Sequence, residues 1–221
     1  MNIWGLATID LQQFFDLPDD ESYQKAYTAW GEYGWTILPS APVRMFHTGP
    51  ASQADADTIA MGYFDEITIK KLLQTVLDLS DYAGILSEAV CCYNNEMYRG
   101  CAMIVVSIFE REMFELQNKE VTPNRVIGRK AVKYTGEKMN ASKKVNQYNT
   151  PKCYVCNMEA YLNGLFSKTA PNFAQIGMKD NLVRDYLMHG MHDKPITKVD
   201  CLKLFNAMEN WLFIKNNFGL Y

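Results

Sequence analysis

The longest periodic segment of the chain lies at residues 84–116 and reads GILSEAVCCYNNEMYRGCAMIVVSIFEREMFEL. Its apolar side chains recur at steps of three and four residues, the spacing of one face of an α-helix. An apolar stripe of this length has to be buried against a large partner surface. The segment therefore predicts a long helix at the centre of a helical protein. The stripe consists of Leu86, Val90, Tyr93, Met97, Cys101, Ile104 and Ile108.

Periodicity and capping residues predict shorter helices around this one. The final helix begins after Thr197, where Asp200 completes a capping pattern, and Gly190 is suited to end the helix before it. Proline and glycine over residues 35–52 predict a surface loop with at most one short extended piece. The predicted fold class is all-α. The other helices are predicted at residues 11–17, 22–33, 65–79, 123–134, 154–167, 181–190 and 198–216.

The length of 221 residues fits one large domain with an N-terminal addition. Residues 1–62 are predicted to be a loop-rich helical extension packed on the body, and residues 63–221 a helical domain. Aromatic residues of the extension, such as Trp30 and Trp35, could stack bases, but packing onto the body is the favoured prediction. Within the domain, the lysine-rich and asparagine-rich residues 136–151 predict an exposed loop.

Composition narrows the class of protein. Apolar residues make up 48% of the chain, as in ordinary globular proteins, and the net charge is -3. The first residues do not have the pattern of a secretory signal, and no apolar stretch approaches the ~18 residues of a membrane span. We therefore expect a soluble, cytoplasmic protein without a membrane partner, whose six cysteines are buried free thiols.

The segment with the most chemical information is residues 181–190, NLVRDYLMHG. Arg184 can hold a phosphate by two parallel hydrogen bonds, while His189 titrates near neutral pH and can move a proton in either direction. These groups suit the cleavage of RNA, because the ribose supplies its own nucleophile, the 2′-hydroxyl. The two residues lie about 140° apart around an ideal helix. They converge only if the helix loosens near Gly190 or if two copies of the chain meet.

The sequence Arg184-Asp185, followed by His189 just before the last helix of an all-helical chain, resembles the HEPN superfamily, whose catalytic members are RNA endonucleases. The resemblance implies a HEPN-like helical bundle and a homodimer with a composite active site. It also implies metal-independent transesterification, without a cofactor, that leaves a 2′,3′-cyclic phosphate and a 5′-hydroxyl. Arg184 would bind the scissile phosphate, His189 would act as general base or acid, and Asp185 would orient one of them.

Positive charge is concentrated in one part of the chain. Residues 119–152 contain nine basic and two acidic residues, a net charge of +7, so the rest of the chain carries -10. Clustered cations neutralise phosphates. We predict that this basic loop region binds the RNA substrate through Lys130, Lys133, Lys143 and Lys144. The alternative is a solvated segment that only maintains solubility.

Three alternatives to the ribonuclease stay open. Arg184 could pair with an acid on a solvated face, with His189 an ordinary residue near a helix end. A HEPN-like chain could also bind nucleotide, RNA or a protein without turnover. Finally, it could be a toxin with an antitoxin partner or act in phage defence. Such toxins typically carry a tyrosine two residues after the motif histidine, however, and this chain has Met191 there.

Other candidate groups favour structural roles. Cys153 and Cys156 have the spacing of half a zinc site, but no second pair follows at a usual distance, so we predict no metal. The charged residues 110–115 are typical of a salt-bridged, solvated helix end, although a carboxylate there could reach the Arg184 helix. His192 is predicted to be a surface histidine, and a supporting role beside His189 is the alternative.

Overall fold

The computed structural model describes residues 21–42, 45–117, 124–167 and 181–220, and within these ranges every regular element is an α-helix. The all-α prediction is confirmed. The predicted helix at residues 11–17 lies outside the described residues. The helices are α1 (Glu21–Glu32), α2 (Gln53–Tyr63), α3 (Glu66–Leu79), α4 (Ala83–Asn94), α5 (Tyr98–Glu115), α6 (Arg129–Ala141), α7 (Lys143–Gln147), α8 (Asn149–Leu165), α9 (Arg184–Met188) and α10 (Lys198–Phe218).

Helix α10 lies at the centre of the core. Its first turn has the predicted capping box, in which Thr197 accepts from the Asp200 N–H and Asp200 accepts from the Thr197 N–H. Nearly all side chains of residues 201–214 are buried, as expected for a helix that other helices surround. Helix α10 contacts α3, α5 and α8, so helices that are far apart in the sequence meet at α10.

The single long helix predicted at residues 84–116 is wrong, because the segment forms two helices, α4 and α5, that fold back on each other. Helix α4 ends at Asn95, and Glu96 adopts a left-handed φ of 60°. The N–H of Met97 then donates to a carbonyl in the last turn of α4 at 2.8 Å. Met97 is 52% exposed, so the apolar stripe stops at the turn and resumes on α5.

The exposed loop predicted at residues 136–151 is also wrong, since three consecutive helices, α6, α7 and α8, occupy this part of the chain. Their few apolar side chains point inward, and Val132, Met139 and Val145 are buried. The lysines and asparagines form the solvent face of amphipathic helices. Pro151 lies in the first turn of α8, where proline sacrifices no intrahelical hydrogen bond.

Trp30, Trp35 and Phe46 belong to the core, as predicted. Trp30 and Trp35 are buried, and Trp30 packs edge-on against Phe46. Helix α1 packs along α8, and Gly34, at a φ of 82°, ends the helical run. These three rings therefore stabilise the fold rather than offering a surface for bases.

Two asparagines hold the extended segment at residues 35–37 between α8 and α10. Asn157 donates to the carbonyl of Trp35 at 3.1 Å and accepts from the N–H of Ile37 at 2.8 Å. Asn206 accepts from both the N–H and the hydroxyl of Thr36, at 3.0 and 2.7 Å. These amides replace the hydrogen bonds that a neighbouring strand would supply, which is why a buried segment without a sheet is stable.

Helix α2 was not among the predicted elements. Its N-cap is Ser52, whose side chain accepts from the N–H of Asp55, while Asp55 accepts from the N–H of Ala51 at 2.9 Å. This local capping pattern in the sequence could have revealed it. Among the described helices, none is long and apolar enough to cross a membrane.

Candidate functional site

Helix α9 is a five-residue helix that lies against α5. Tyr186 and Leu187 are buried and anchor it, and Val183 is its N-cap. The segment after α9 is held by Arg99, whose guanidinium donates to the carbonyl of His192 at 2.8 Å. Helix α9 and the turn that follows are therefore fixed at two points along α5. The predicted termination at Gly190 agrees with its φ of 70°.

Arg184 is held by two carboxylates. One Nη donates to Glu110 of α5 at 2.9 Å, and the other donates to Asp185 at 2.8 Å. The side chains of Arg184 and Glu110 are 19% and 18% exposed, whereas that of Asp185 is 38% exposed. Burial alone would lower the pKa of Arg184, but the two carboxylates outweigh it and raise the pKa, so the guanidinium stays charged.

Two polar atoms at this ion pair are not satisfied within the described part of the chain. Arg184 Nε and Glu110 Oε1 are both buried and lack a hydrogen-bond partner there. Both side chains thus keep unused hydrogen-bonding capacity beside their mutual contact. Such atoms are uncommon in folded proteins.

His189 lies at the C-cap of α9 with its side chain exposed. Its N–H closes the helix by donating to the carbonyl of Asp185 at 3.1 Å. Helix α9 thus presents Arg184 at its first residue and His189 just past its last. The five-residue interval corresponds to about 7.5 Å along the axis in addition to the rotation.

The surface position predicted for His192 is wrong. Its side chain is only 8% exposed, and its backbone carbonyl accepts the hydrogen bond from Arg99. Burial lowers the pKa of His192, and the positive charge of Arg99 lowers it further. His192 is therefore a structural residue at the end of the α9 segment. His47, by contrast, is exposed and makes an edge contact with the Tyr23 ring.

The charged end of α5 is only partly the solvated face that was predicted. Arg111 and Glu115 form an exposed pair at 3.0 Å, in keeping with the prediction. Glu112, however, is 3% exposed and accepts from Lys215 of α10 at 2.9 Å and from Trp211 at 3.3 Å. Glu110 contacts Arg184, so the alternative prediction, that a carboxylate of residues 110–115 could reach the Arg184 helix, is correct. Position 112 is one turn beyond the buried Ile108, a spacing that could have indicated its inward orientation.

A buried ion pair that the sequence did not indicate lies beside the start of the α9 segment. Lys203 of α10 is 7% exposed and pairs with Asp57 of α2 at 2.8 Å. Its ammonium also donates to Asn181 at 3.4 Å, and Asn181 donates to the carbonyl of Glu32 at 2.9 Å. Asn181 therefore ties the chain just before Arg184 to both α1 and α10. It does not cap α9, whose N-cap is Val183.

The residues predicted to bind substrate lie on helices rather than on a loop. Lys130 and Lys133 are exposed on α6, and Lys143 and Lys144 are exposed on α7. Lys119, the first residue of the predicted basic region, lies outside the described residues. Helices α6 and α7 both pack against α8, and α6 also contacts α5, the helix against which α9 packs.

The cysteine pair of α8 fits a structural role. Cys153 is fully buried and Cys156 half-buried, and burial raises the pKa of Cys153 to about 12. Within the described residues, no group of three or more histidine, cysteine or acidic side chains could hold a metal ion. All six cysteines are free thiols.

No known protein family, curated protein or solved structure matches this chain. Any functional assignment therefore depends on the residues and on their geometry.

Proposed function

We propose that the chain is an RNA endonuclease that cleaves a single strand through attack of the 2′-hydroxyl, without a metal ion. The observation that carries the proposal is the environment of Arg184. A permanently charged guanidinium is fixed at the surface by Glu110 and Asp185, at the start of the same short helix that ends in the exposed His189. A fixed cation and an exposed imidazole are the two groups that this reaction requires.

The two carboxylates have different roles in the proposal. Glu110 is the less exposed partner and comes from another helix, so it anchors the guanidinium. Asp185 is twice as exposed, and a phosphate group can take its place on the outer Nη atom. Arginine then binds the phosphate while keeping the contact with Glu110, and its charge stabilises the five-coordinate phosphorus.

The chemical step exchanges one phosphorus–oxygen bond for another. The 2′-oxygen forms a bond to phosphorus, the bond from phosphorus to the 5′-oxygen breaks, and a 2′,3′-cyclic phosphate and a 5′-hydroxyl result. His189 takes the proton of the 2′-hydroxyl as general base, and the departing 5′-oxygen takes a proton from water or from a second copy of His189 in a homodimer.

The second candidate function is a module that binds a nucleotide, RNA or a protein without turnover, and the net charge of the same cluster favours it. One arginine between two carboxylates leaves a net charge of -1, which repels a phosphate unless Asp185 gives way. In that case the arginine only fastens α9 to α5.

Cleavage assays with single-stranded RNA in excess EDTA distinguish the two functions. We expect the wild-type protein to cleave RNA, to leave DNA intact and to produce cyclic phosphate ends. His189→Ala should lower the rate by about 10²–10⁴-fold while RNA binding persists, because a proton-transfer group is lost. Arg184→Ala should abolish cleavage. His47→Ala is the matched control, since it removes an exposed imidazole from another part of the molecule.

A wild-type protein that binds varied RNAs without cutting them would favour the binding module. Cleavage that survives in both the Arg184 and the His189 variants would show that the proposed centre is wrong.

A further inference from the structure

Five exposed cations lie on α6 and α7, two helices that contact each other and both pack against α8, and we call them the cationic face: Arg129, Lys130, Lys133, Lys143 and Lys144. Rigid helices fix these side chains on the outside of amphipathic elements. Only Ser142 separates the two helices, so the five cations lie within residues 129–144 of the chain. A group of cations on neighbouring helices can contact several charges of an extended polyanion.

Other basic residues of the same region already have structural roles. Arg125 stacks on the Phe114 ring at 4.8 Å, and Lys138 donates to the carbonyl of Leu116 at 3.0 Å. These two side chains fasten α6 to the end of α5. They are therefore not counted in the cationic face.

The members of the cationic face are, by contrast, little used by the fold. Within the described residues, the side chains of Arg129, Lys130 and Lys143 make no hydrogen bond or ion pair. Lys133 approaches Glu137 at 3.9 Å, but both side chains are largely exposed, and such a pair contributes little to stability. Lys144 donates to a backbone carbonyl near the end of α10 at 3.1 Å. Most of the positive charge thus remains available to a ligand.

The cationic face is positively charged, whereas the whole chain has a negative net charge. Residues 124–152 contain eight basic residues and one acid, Glu137, in a chain of net charge -3. Like charges at this density repel one another, and packing of the fold does not require them. Binding of a polyanion relieves the repulsion and releases the counterions of the polyanion.

An exposed aromatic residue follows α7 in the chain. Tyr148 joins α7 to α8, four residues beyond Lys144, and is 42% exposed. Exposed aromatic rings beside a row of cations bind single strands, because unpaired bases stack on the ring while the cations contact the phosphates. Duplexes keep their bases paired and offer no such face to the ring.

We propose that the cationic face binds the sugar–phosphate backbone of a single-stranded nucleic acid, with Tyr148 stacking on one base. This surface lies outside the Arg184 cluster and extends the proposed function. Only the choice of RNA over DNA rests on the proposed function, because phosphate contacts and stacking do not require a 2′-hydroxyl. Backbone contacts and stacking of this kind would hold a strand without recognising its base sequence.

The test measures the fluorescence anisotropy of a labelled 20-nucleotide thymidine oligomer over a series of salt concentrations. This DNA cannot be cut through a 2′-hydroxyl, so binding is measured separately from cleavage. We expect the wild-type affinity to fall steeply with salt. Lys130→Gln with Lys143→Gln should weaken binding by tenfold or more and should reduce the slope of log affinity against log salt by about 1.4, since each single-strand phosphate contact contributes about 0.7.

The matched control is Lys70→Gln with Lys71→Gln, which removes two exposed lysines from α3. It changes the net charge equally but leaves the cationic face intact, so affinity should remain close to that of the wild type. For the ring, Tyr148→Phe should keep the affinity, and Tyr148→Leu should lower it about tenfold with an unchanged salt slope. Circular dichroism confirms that each variant is folded.

Three results would overturn the inference. They are a wild-type protein that does not bind the oligomer, an equal loss of affinity in the α3 control, and binding to vesicles of anionic lipid in place of the oligomer. Failure of the RNA cleavage assay leaves this measurement unaffected, because the DNA oligomer tests the surface alone.

Discussion

Glu209 of α10 has a carboxyl group that is harder to ionise in the folded protein than in the unfolded chain. Burial raises the pKa of Glu209 to about 7, and the positive charge of Lys71 offsets only part of the effect. The folded protein therefore holds this proton at pH values at which the unfolded chain has lost it. The resulting stability is present in full below pH ~4.5 and is lost as the pH rises through about 7.

Glu209→Gln should consequently stabilise the protein in mildly alkaline buffer. Glutamine keeps the shape of the protonated side chain and cannot ionise. We expect a gain on the order of 1 kcal/mol, about 2–4 °C in melting temperature, at pH 8 and little change at pH 5. Thermal melts at the two pH values measure it. Glu88→Gln, at an exposed position of α4, should show no such pH-dependent gain, and an equal gain there would contradict the argument.

At the scale of single residues, the sequence indicates which side chains can bind a phosphate or move a proton better than it indicates which residues they contact. Arg184 and His189 stand out because arginine and histidine have few equivalents for phosphate chemistry. That Glu110 holds Arg184 is a contact between residues 74 positions apart, and no local pattern specifies such a pairing. The same limit applies to His192, whose backbone carbonyl accepts a hydrogen bond from Arg99, a residue 93 positions away.

The turn between α4 and α5 stores strain at one position. Glu96 is exposed and has a left-handed φ of 60°, a conformation that costs a residue with a Cβ about 1–2 kcal/mol and glycine almost nothing. Glu96→Gly should therefore raise the free energy of unfolding by roughly 0.5–1 kcal/mol, because the greater freedom of glycine in the unfolded chain offsets part of the gain. Urea denaturation measures the change.

The same substitution at another exposed glutamate provides the control. Glu88 lies within helix α4, where glycine has only an entropic cost. Glu88→Gly should lower the free energy of unfolding by about 1 kcal/mol. Opposite signs at the two positions support the conformational explanation, whereas destabilisation by both changes would refute it.

At the scale of elements, the predictions succeed where an apolar stripe or a cap is strong. The capping box at Thr197 and the left-handed Gly190 place helix ends correctly because both are local effects. The break at residues 95–97 was missed because its left-handed residue is a glutamate, although Asn94 and Asn95 before it favour turns. Residues 136–151 were misassigned because their polar composition obscured a buried face of only a few residues.

Charge is unevenly distributed over the whole molecule, and the two proposed sites differ in this respect. The cationic face lies in the one basic region of an otherwise acidic chain, while Arg184 sits among carboxylates. Long-range attraction of a polyanion therefore belongs to the cationic face. The Arg184 cluster can act only on a phosphate that has already been brought close.

The last prediction concerns the assembly. Within one copy of α9, Arg184 and His189 are separated by about 7.5 Å along the axis and about 140° of rotation, so one chain presents them in different directions. Two copies of α9 related by a two-fold axis would place the arginine of each chain near the histidine of the other. Light scattering at micromolar concentration should then give a mass near twice 25.3 kDa.

A mixed dimer tests whether the cleft is shared. Arg184→Ala and His189→Ala chains, co-expressed with different affinity tags and purified through both tags, retain one intact arginine and one intact histidine on opposite subunits. If a centre uses Arg184 of one copy and His189 of the other, this heterodimer should recover RNA cleavage, although each variant alone is inactive. Doubly tagged dimers of a single variant are the control and should remain inactive. A strictly monomeric protein would mean that any catalytic centre is built within one chain, and a heterodimer without activity would mean that one arginine and one histidine from opposite subunits do not form a working centre.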